Sequence, residues 1–429
     1  MIEEITFKNV LSFKDETTFS FEATSDDRLS DAHVRTMPNG TRLLRIGILY
    51  GANASGKSNL LAAIDALWNF WRSEPSNMDD TTAVVPFLLD AESPEMSSEY
   101  NVKFWINDIR YSYQLSVTRS RVLSEKLSYY RTNQPTMVFE RTLENDRSVI
   151  RFNDSVQKLS AEEQKAITLN CLPNMSLFSA CGKVNLRLEH IDTVRNWVRL
   201  GYMPMIEPRL DMTAFTKRKV NESEGFRNYI LNFLNMADFN ITALNDYLED
   251  EFIPEQVQKL LLADDKVPEE LRMAIKSKGT IKNHVLRFEH TVENARGQEK
   301  YELSMEQQSA GTKRLMGVEA AIFEVLKKDS FLMIDEMESS LHPELMEYII
   351  QQFLLDQGNS QLLVTTHYDA LLNTIDDLIR KDNIWFVEKN KAGVSELYSL
   401  VEFKGLNKIP HIDRAYRNGA FGALPVFKN

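Results

Sequence analysis

The sequence predicts an α/β protein: a parallel sheet assembled from both ends of the chain, with an antiparallel β lobe and a helical insertion between them. Three observations carry this reading. The apolar run "RLLRIGILY" leads into a glycine-bracketed loop and then into Leu60, Ile64 and Leu67 at helical spacing. Residues from about 83 to 153 switch to β-type alternation, and those from about 155 to 280 to a helical, charge-dense pattern. A strand–helix rhythm returns from about residue 281. The expected organisation is therefore 1–154, an insertion at 155–280, and 281–429 completing the first part.

The elements follow in order. Ile5, Phe7 and Val10, then Phe19 and Phe21, alternate as in half-buried strands. "RLLRIGILY" is denser, as befits a strand covered on both faces. In "YNVKFWINDIRYSYQLSV" two alternating runs flank Asn107-Asp108, a hairpin signal. "EQVQKLLLADDKVPEELRMAIKSK" typifies the helical insertion. Strands return with "HVLRFEHTVE", a turn at "NARG", and "KYELSM".

Composition sets bounds. The 429 residues suffice for two or three domains, and 43% hydrophobic with 26% charged content is ordinary for a soluble protein. No apolar run reaches the roughly 20 residues that span a bilayer. "MIEEITFKNV" is unlike a signal peptide, and Cys171 and Cys181 give neither a disulfide framework nor zinc-type spacing, so a cytoplasmic location without membrane is expected. The net charge of −12 argues against a dedicated nucleic-acid binder. A local basic patch at Arg209, Lys217, Arg218 and Lys219 keeps nucleic acid possible, although a solvated helix face is the better reading of it.

Four motifs carry chemistry. Gly51-Ala-Asn53-Ala-Ser55-Gly56-Lys57-Ser58 fits G-x-x-x-x-G-K-[ST] in full and lies between a strand and a helix. Its backbone N–H groups and the helix start suit phosphate oxygens; Lys57 would reach the β- and γ-phosphates and Ser58 would bind Mg²⁺. Gly51, Asn53, Ser55, Gly56, Lys57, Ser58 and the following Asn59 are the nucleotide-binding candidates. Next, Phe331 to Ile334 end in Asp335-Glu336, two carboxylates at the tip of a buried strand. Asp335 suits the magnesium shell and Glu336 the orientation and deprotonation of an attacking water. A third strand, Leu362 to Val364, ends at Thr365-Thr366-His367, placing a histidine where it can meet the γ-phosphate or the water. Fourth, Ser309, Gly311 and Thr312 open a helix with Leu315, Val318, Ile322 and Val325 on one face; this is an N-cap, an anion site, or both.

Taken together, these motifs resemble the set of ABC-type ATPases: phosphate loop, signature, magnesium-and-base strand and switch histidine. Ser309 lies 26 residues before Asp335, and His367 lies 32 after it, spacings typical of that class. "ITFKNVLSFKD" and "IDEMESSLHPEL" resemble its SMC/RecF/OLD branch, where Asn53 matches the usual loop asparagine. "PFLLDAESP", "YNVKFWINDIRYSYQL", "SAGTKRL" and "AYRNGAFGALP" resemble the ATPases of bacterial abortive-infection and anti-phage systems, encoded beside an effector that is often a nuclease. The resemblance implies ATP and Mg²⁺ as cofactors. It also implies a homodimer or higher oligomer in which the loop of one copy faces Ser309, Gly311 and Thr312 of the other. These ATPases normally carry a magnesium-contacting glutamine after the first lobe; "NMSLFSACGKVN" has none, and Ser179 is the candidate in its place.

Two functions follow: an ATP-gated switch in anti-phage defence acting on a separate effector, and a RecF- or SMC-like repair clamp that grips DNA directly. A nuclease within the chain is excluded. "NIWFVEKNKAG" offers Glu388, but no Asp-x-Asp follows it, and the stretch reads better as another strand of the same sheet. A metabolic kinase would have no use for the signature or the switch histidine.

Overall fold

The computed structural model describes residues 1–237, 240–264 and 267–425; the last four residues of the expected C-terminal segment, 426–429, lie outside them. The chain forms two compact units, one from residues 1–209 and 324–429, the other from 210–323.

In the first unit, β1 (Ile2–Lys8) and β2 (Thr17–Ser20) pair antiparallel, followed by a short helix α1 (Ser30–His33) and the pair β3 (Val34–Thr36) and β4 (Arg42–Leu44). Then come β5 (Ile46–Tyr50) and α2 (Lys57–Arg72). A meander follows, β6 (Ser98–Ile106), β7 (Ile109–Val117), β8 (Val122–Tyr130), β9 (Pro135–Glu144) and β10 (Arg147–Phe152). With β1 and β2 it makes a seven-stranded antiparallel sheet in the order β10-β9-β8-β7-β6-β1-β2. The hairpin expected at Asn107-Asp108 is there, both residues having positive φ of 46° and 65° as a two-residue turn requires.

Three helices, α3 (Ala161–Asn170), α4 (Leu177–Cys181) and α5 (Glu189–Leu200), come next. They lie within the sequence read as an insertion, yet they belong to the first unit. The physical reason is a buried ion pair. Arg141 on β9 bonds Glu125 on β8 at 3.1 Å and donates to the carbonyls of Leu172 and Met175, while Glu125 accepts the Leu177 N–H. Leaving either charge unpaired inside the fold would cost several kcal/mol, so the 170s segment is held against the lobe.

The second unit holds α6 (Thr213–Glu222), α7 (Glu224–Met236), β11 (Ile241–Phe252), α8 (Glu255–Ala263), α9 (Glu269–Lys278), β12 (Thr280–Asn294), β13 (Gly297–Ser304) and the start of α10 (Ala310–Lys328). The predicted helices are joined by one strand that the periodicity did not announce: β11 pairs with β12, which pairs with β13 across the "NARG" turn. Of the basic patch, Lys217 pairs with Glu306 at 2.9 Å, and Arg218 and Lys219 lie at 3.9 and 3.5 Å from Glu222, so these charges sit on a solvated helix among their own acids.

The chain then returns to the first unit with β14 (Phe331–Ile334), α11 (Pro343–Leu355), β15 (Gln361–Thr365), β16 (Ile384–Lys389), β17 (Ser395–Ser399) and α12 (Ile412–Arg417). The second large sheet runs β14-β15-β5-β16-β17; its first four strands are parallel and β17 is antiparallel. Every residue of β5, β14 and β15 is buried. Helix α2 lies between the two sheets: Trp71 meets Phe104 and Tyr113 of the antiparallel sheet, and Trp68 meets Phe331 of the parallel one. A helix covered on both sides needs apolar residues around most of its girth, which "LLAAIDALWNFW" supplies. The α/β head with an antiparallel lobe is the architecture the sequence predicts.

Candidate functional site

In a parallel sheet the carboxyl ends of the strands face one edge, and ligands gather there. Here β5, β14, β15 and β16 deliver, in turn, the phosphate loop, Asp335-Glu336, Thr365-Thr366-His367 and Lys389. A cleft of about 370 Å³ lies at that edge, lined by the loop from Asn53 to Asn59 with Glu336, His367 and Lys389.

The loop's shape follows from two glycines. Gly56 has φ of +121°, and a Cβ there would lie 2.3 Å from Ser395 Oγ; at Gly51 a Cβ would lie 2.4 Å from the Val387 carbonyl of β16. Ser395 braces the loop by donating to the Ser55 carbonyl at 2.6 Å, and its Oγ lies 2.8 Å from Ser12 Oγ. Residues 12, 55 and 395 thus meet at one point. Helix α2 begins at Lys57, so the N–H groups of Lys57, Ser58 and Asn59 have no acceptor within the helix.

Lys57 is buried, and its Nζ donates to the carbonyls of Gly51 at 2.8 Å and Ala52 at 3.1 Å. An ammonium has three protons, so one is left for an anion. Burial pulls its pKa down, opposed by Asp335, Glu336 and Glu338. Ser55 Oγ is buried without a hydrogen-bond partner, and Ser58 is exposed to the cleft. The loop therefore offers spare donors and a cation, the set a polyphosphate needs.

Facing it, Asp335 is buried and accepts from Thr365 Oγ1 at 2.6 Å. Glu336 takes a left-handed conformation, φ +46°, and its N–H donates to the same Thr365 oxygen at 2.8 Å. Glu336 lines the cleft. The His367 N–H donates to Glu338 Oε1 at 2.6 Å. Desolvation and the Lys57 cation hold the His367 imidazole below its ordinary range, against Glu338, Glu336 and Asp335.

The cleft thus gathers the loop candidates from Asn53 to Asn59 with Glu336 and His367, Gly51 stays at the base of the loop against β16, and Asp335 stands beside them on the same strand tip as Glu336. Ser309, Gly311 and Thr312 belong to the second unit. There Ser309 caps α10, accepting the Thr312 N–H at 3.0 Å with its Oγ 2.8 Å from Thr312 Oγ1. Ser179 is a correction. Its hydroxyl donates to the Trp71 carbonyl at 3.0 Å, at the end of α2 opposite Lys57. Fourteen residues of helix put it about 20 Å from the loop, too far to stand for a magnesium-contacting glutamine. Lys389 was missed. "NIWFVEKNKAG" forms the expected strand, and only its parallel pairing with β5 brings Lys389, the last residue of β16, into the cleft.

Fold and cleft define an ABC-type P-loop ATPase head. Residues 46–169 and 203–373 match the family described as "AAA domain, putative AbiEii toxin, Type IV TA system", and the chain belongs to that family. No curated protein matches the sequence. Among solved structures, the SMC head domain from Thermotoga maritima is 15% identical with a TM-score of 0.40, covering 93% of this chain and 98% of that one. The Smc head domain derived from Pyrococcus furiosus, bound to the C-terminal domain of ScpA, is 14% identical with a TM-score of 0.41, covering 97% and 99%. Among the described residues no helix is long and apolar enough to cross a membrane.

Proposed function

We propose that the chain binds and hydrolyses ATP with Mg²⁺ and acts as a nucleotide-gated dimeric switch in anti-phage defence, controlling a separate effector such as a nuclease. The observation that carries the reading is the single cleft in which the loop around Lys57 meets Glu336 and His367. Magnesium-bound ATP, when present, supplies the phosphoryl group to be transferred to water. Lys57 neutralises phosphate charge, while Ser58 and Asp335 hold the metal. Among the described residues no three His, Cys, Asp or Glu side chains converge as a metal cage. Mg²⁺ arriving with ATP would need no such cage from the chain; Ser58 and Asp335 would be the residues to hold it. Glu336 takes the proton of the attacking water, and His367 orients it.

Ser309, Gly311 and Thr312 of a second copy complete the site, which makes hydrolysis depend on assembly. The start of α10 supports this role: Ser309 takes the Thr312 N–H, while the N–H groups of Ala310 and Gly311 have no acceptor within the helix, which suits an anion. The defence role rests on the family's description, which names an abortive-infection toxin and a toxin–antitoxin system. A DNA clamp would need free basic charge, and Lys217 and its neighbours lie against their own acids.

The test is nucleotide binding and ATP-dependent sedimentation, wild type against Lys57→Ala. Loss of about two orders of magnitude in affinity and of any ATP-induced assembly is expected, since a charged donor in a phosphate site contributes about 1.5–3 kcal/mol. Unchanged affinity would refute the assigned cradle.

A further inference from the structure

We propose that Thr365 and Glu338 are positioning residues: they tie the tips of β14 and β15 to each other, so that Asp335, Glu336 and His367 meet the phosphate loop as one preset unit. The inference deepens the hydrolysis reading and rests on it for its catalytic consequence.

The ties run in both directions. From β15, the Thr365 hydroxyl donates to Asp335 Oδ1 at 2.6 Å and accepts the Glu336 N–H at 2.8 Å. The Thr365 carbonyl accepts the Met337 N–H at 3.0 Å, so one residue grips three in succession. From the β14 side, Glu338 Oε1 accepts the His367 N–H at 2.6 Å. Each strand tip therefore fixes the reacting group on the other.

Two features exceed what folding alone requires. A buried hydroxyl needs a single partner to offset its desolvation. Thr365, fully buried, uses both its donor and an acceptor position on the two adjacent carboxylate residues, and Glu336 is held at φ +46°, outside the ordinary strand range. Glu338 in turn keeps its second oxygen, Oε2, buried without a hydrogen-bond partner. A carboxylate left half-satisfied lowers stability, and such sites cluster where position matters more than stability.

The experiment compares Thr365→Val, which keeps the shape and removes the hydroxyl, with Thr365→Ser, which restores it. Thr365→Val is expected to lower kcat by about 10–100-fold, the loss that misplacement by about an ångström brings, with KM and nucleotide affinity within about threefold. Thr365→Ser should recover kcat to within about threefold of wild type. Glu338→Ala should behave as Thr365→Val does, and Glu338→Gln, which keeps an oxygen for the His367 N–H, should recover. Hydrogen exchange reads the tie without turnover: in Thr365→Val the Glu336 amide should exchange at least about tenfold faster, while the Met337 amide, still bonded to the carbonyl of residue 365, and the β5 amides keep their protection. A kcat for Thr365→Val within twofold of wild type, or an equal loss in Thr365→Val and Thr365→Ser, overturns the catalytic consequence; unchanged exchange overturns the tie. A wild type without turnover but with accelerated exchange in the variant would sink the hydrolysis reading and leave the tie standing.

Discussion

The two units use apolar residues in opposite ways. In the head, β5, β14 and β15 are buried along their whole lengths, and even the polar groups at their tips are enclosed and bonded. In the inserted unit the hairpin is only partly buried, and most of the apolar core comes from α7 and α10, with Phe226, Ile230, Leu234, Val318 and Ile322. Leu244 and its register partner Phe288 are buried, whereas Phe252, at the far end of β11, is 68% exposed and opposite Thr280. Helix α8 has no buried residue at all, and its Leu260 is 72% exposed. The head fixes its strand tips because its layers cover each other; the insertion holds its shape through the ladder and the core between α7 and α10 residues. The first is built for chemistry. The second offers surface.

The largest effect expected from breaking this contrast lies in the head. Glu336→Gln removes the base and keeps the volume, so ATP turnover should fall by about 10²–10⁴-fold while binding persists. The same variant should then accumulate an ATP-bound assembly in size-exclusion chromatography, and the absence of any shift would count against a two-copy site. In the insertion the corresponding blow falls on packing. Phe226 is fully buried and its ring lies 5.2 Å from that of Phe323. Phe226→Ala should cost about 3–5 kcal/mol, seen as early thermal unfolding of this unit. Leu260→Ser should stay within about 0.5 kcal/mol, because that side chain is already mostly exposed.

A smaller effect depends on pH. Glu319 is buried on α10 and accepts from the Tyr229 hydroxyl, while its Oε1 has no partner. Burial pushes its carboxyl up to about 8 from the ordinary 4.5. The folded state therefore holds a proton that the unfolded state has released. The stability this contributes is complete below about pH 4.5 and is lost as pH rises through about 8. Unfolding of the insertion should come at lower temperature across that window, and Glu319→Gln should flatten the dependence. A modest change is expected at the exposed edge of the cleft: Lys389→Ala should weaken ATP by about 3–10-fold, with a steeper effect at low salt.

The legible parts of the site were those written in one short stretch. The phosphate loop, Asp335-Glu336 and His367 each follow or end an apolar run, so strand and tip are read together. Lys389, Ser395 and Ser12 were silent because their roles arise from pairing across more than 300 residues, such as β16 with β5. Ser179 misled for the same reason: its neighbour is the Trp71 carbonyl, which no spacing predicts. Strand β11 was hidden by its own pattern. Leu244, Tyr247, Leu248 and Phe252 fall at helical intervals, and with its far half open to solvent nothing enforces a two-residue period there. The boundary at 155 missed the grip of Arg141 and Glu125, a tertiary fact rather than a compositional one.

The position of β5 between β15 and β16 has a consequence for biosynthesis. At about 5–20 residues per second, roughly 15–60 s separate the synthesis of β5 from that of β15. The antiparallel meander can close early, but the strand that leads into the phosphate loop must wait with both edges bare until the final third of the chain leaves the ribosome. Truncated or stalled products would thus display an unpaired apolar strand, and the nascent protein has its greatest need of a chaperone in that interval.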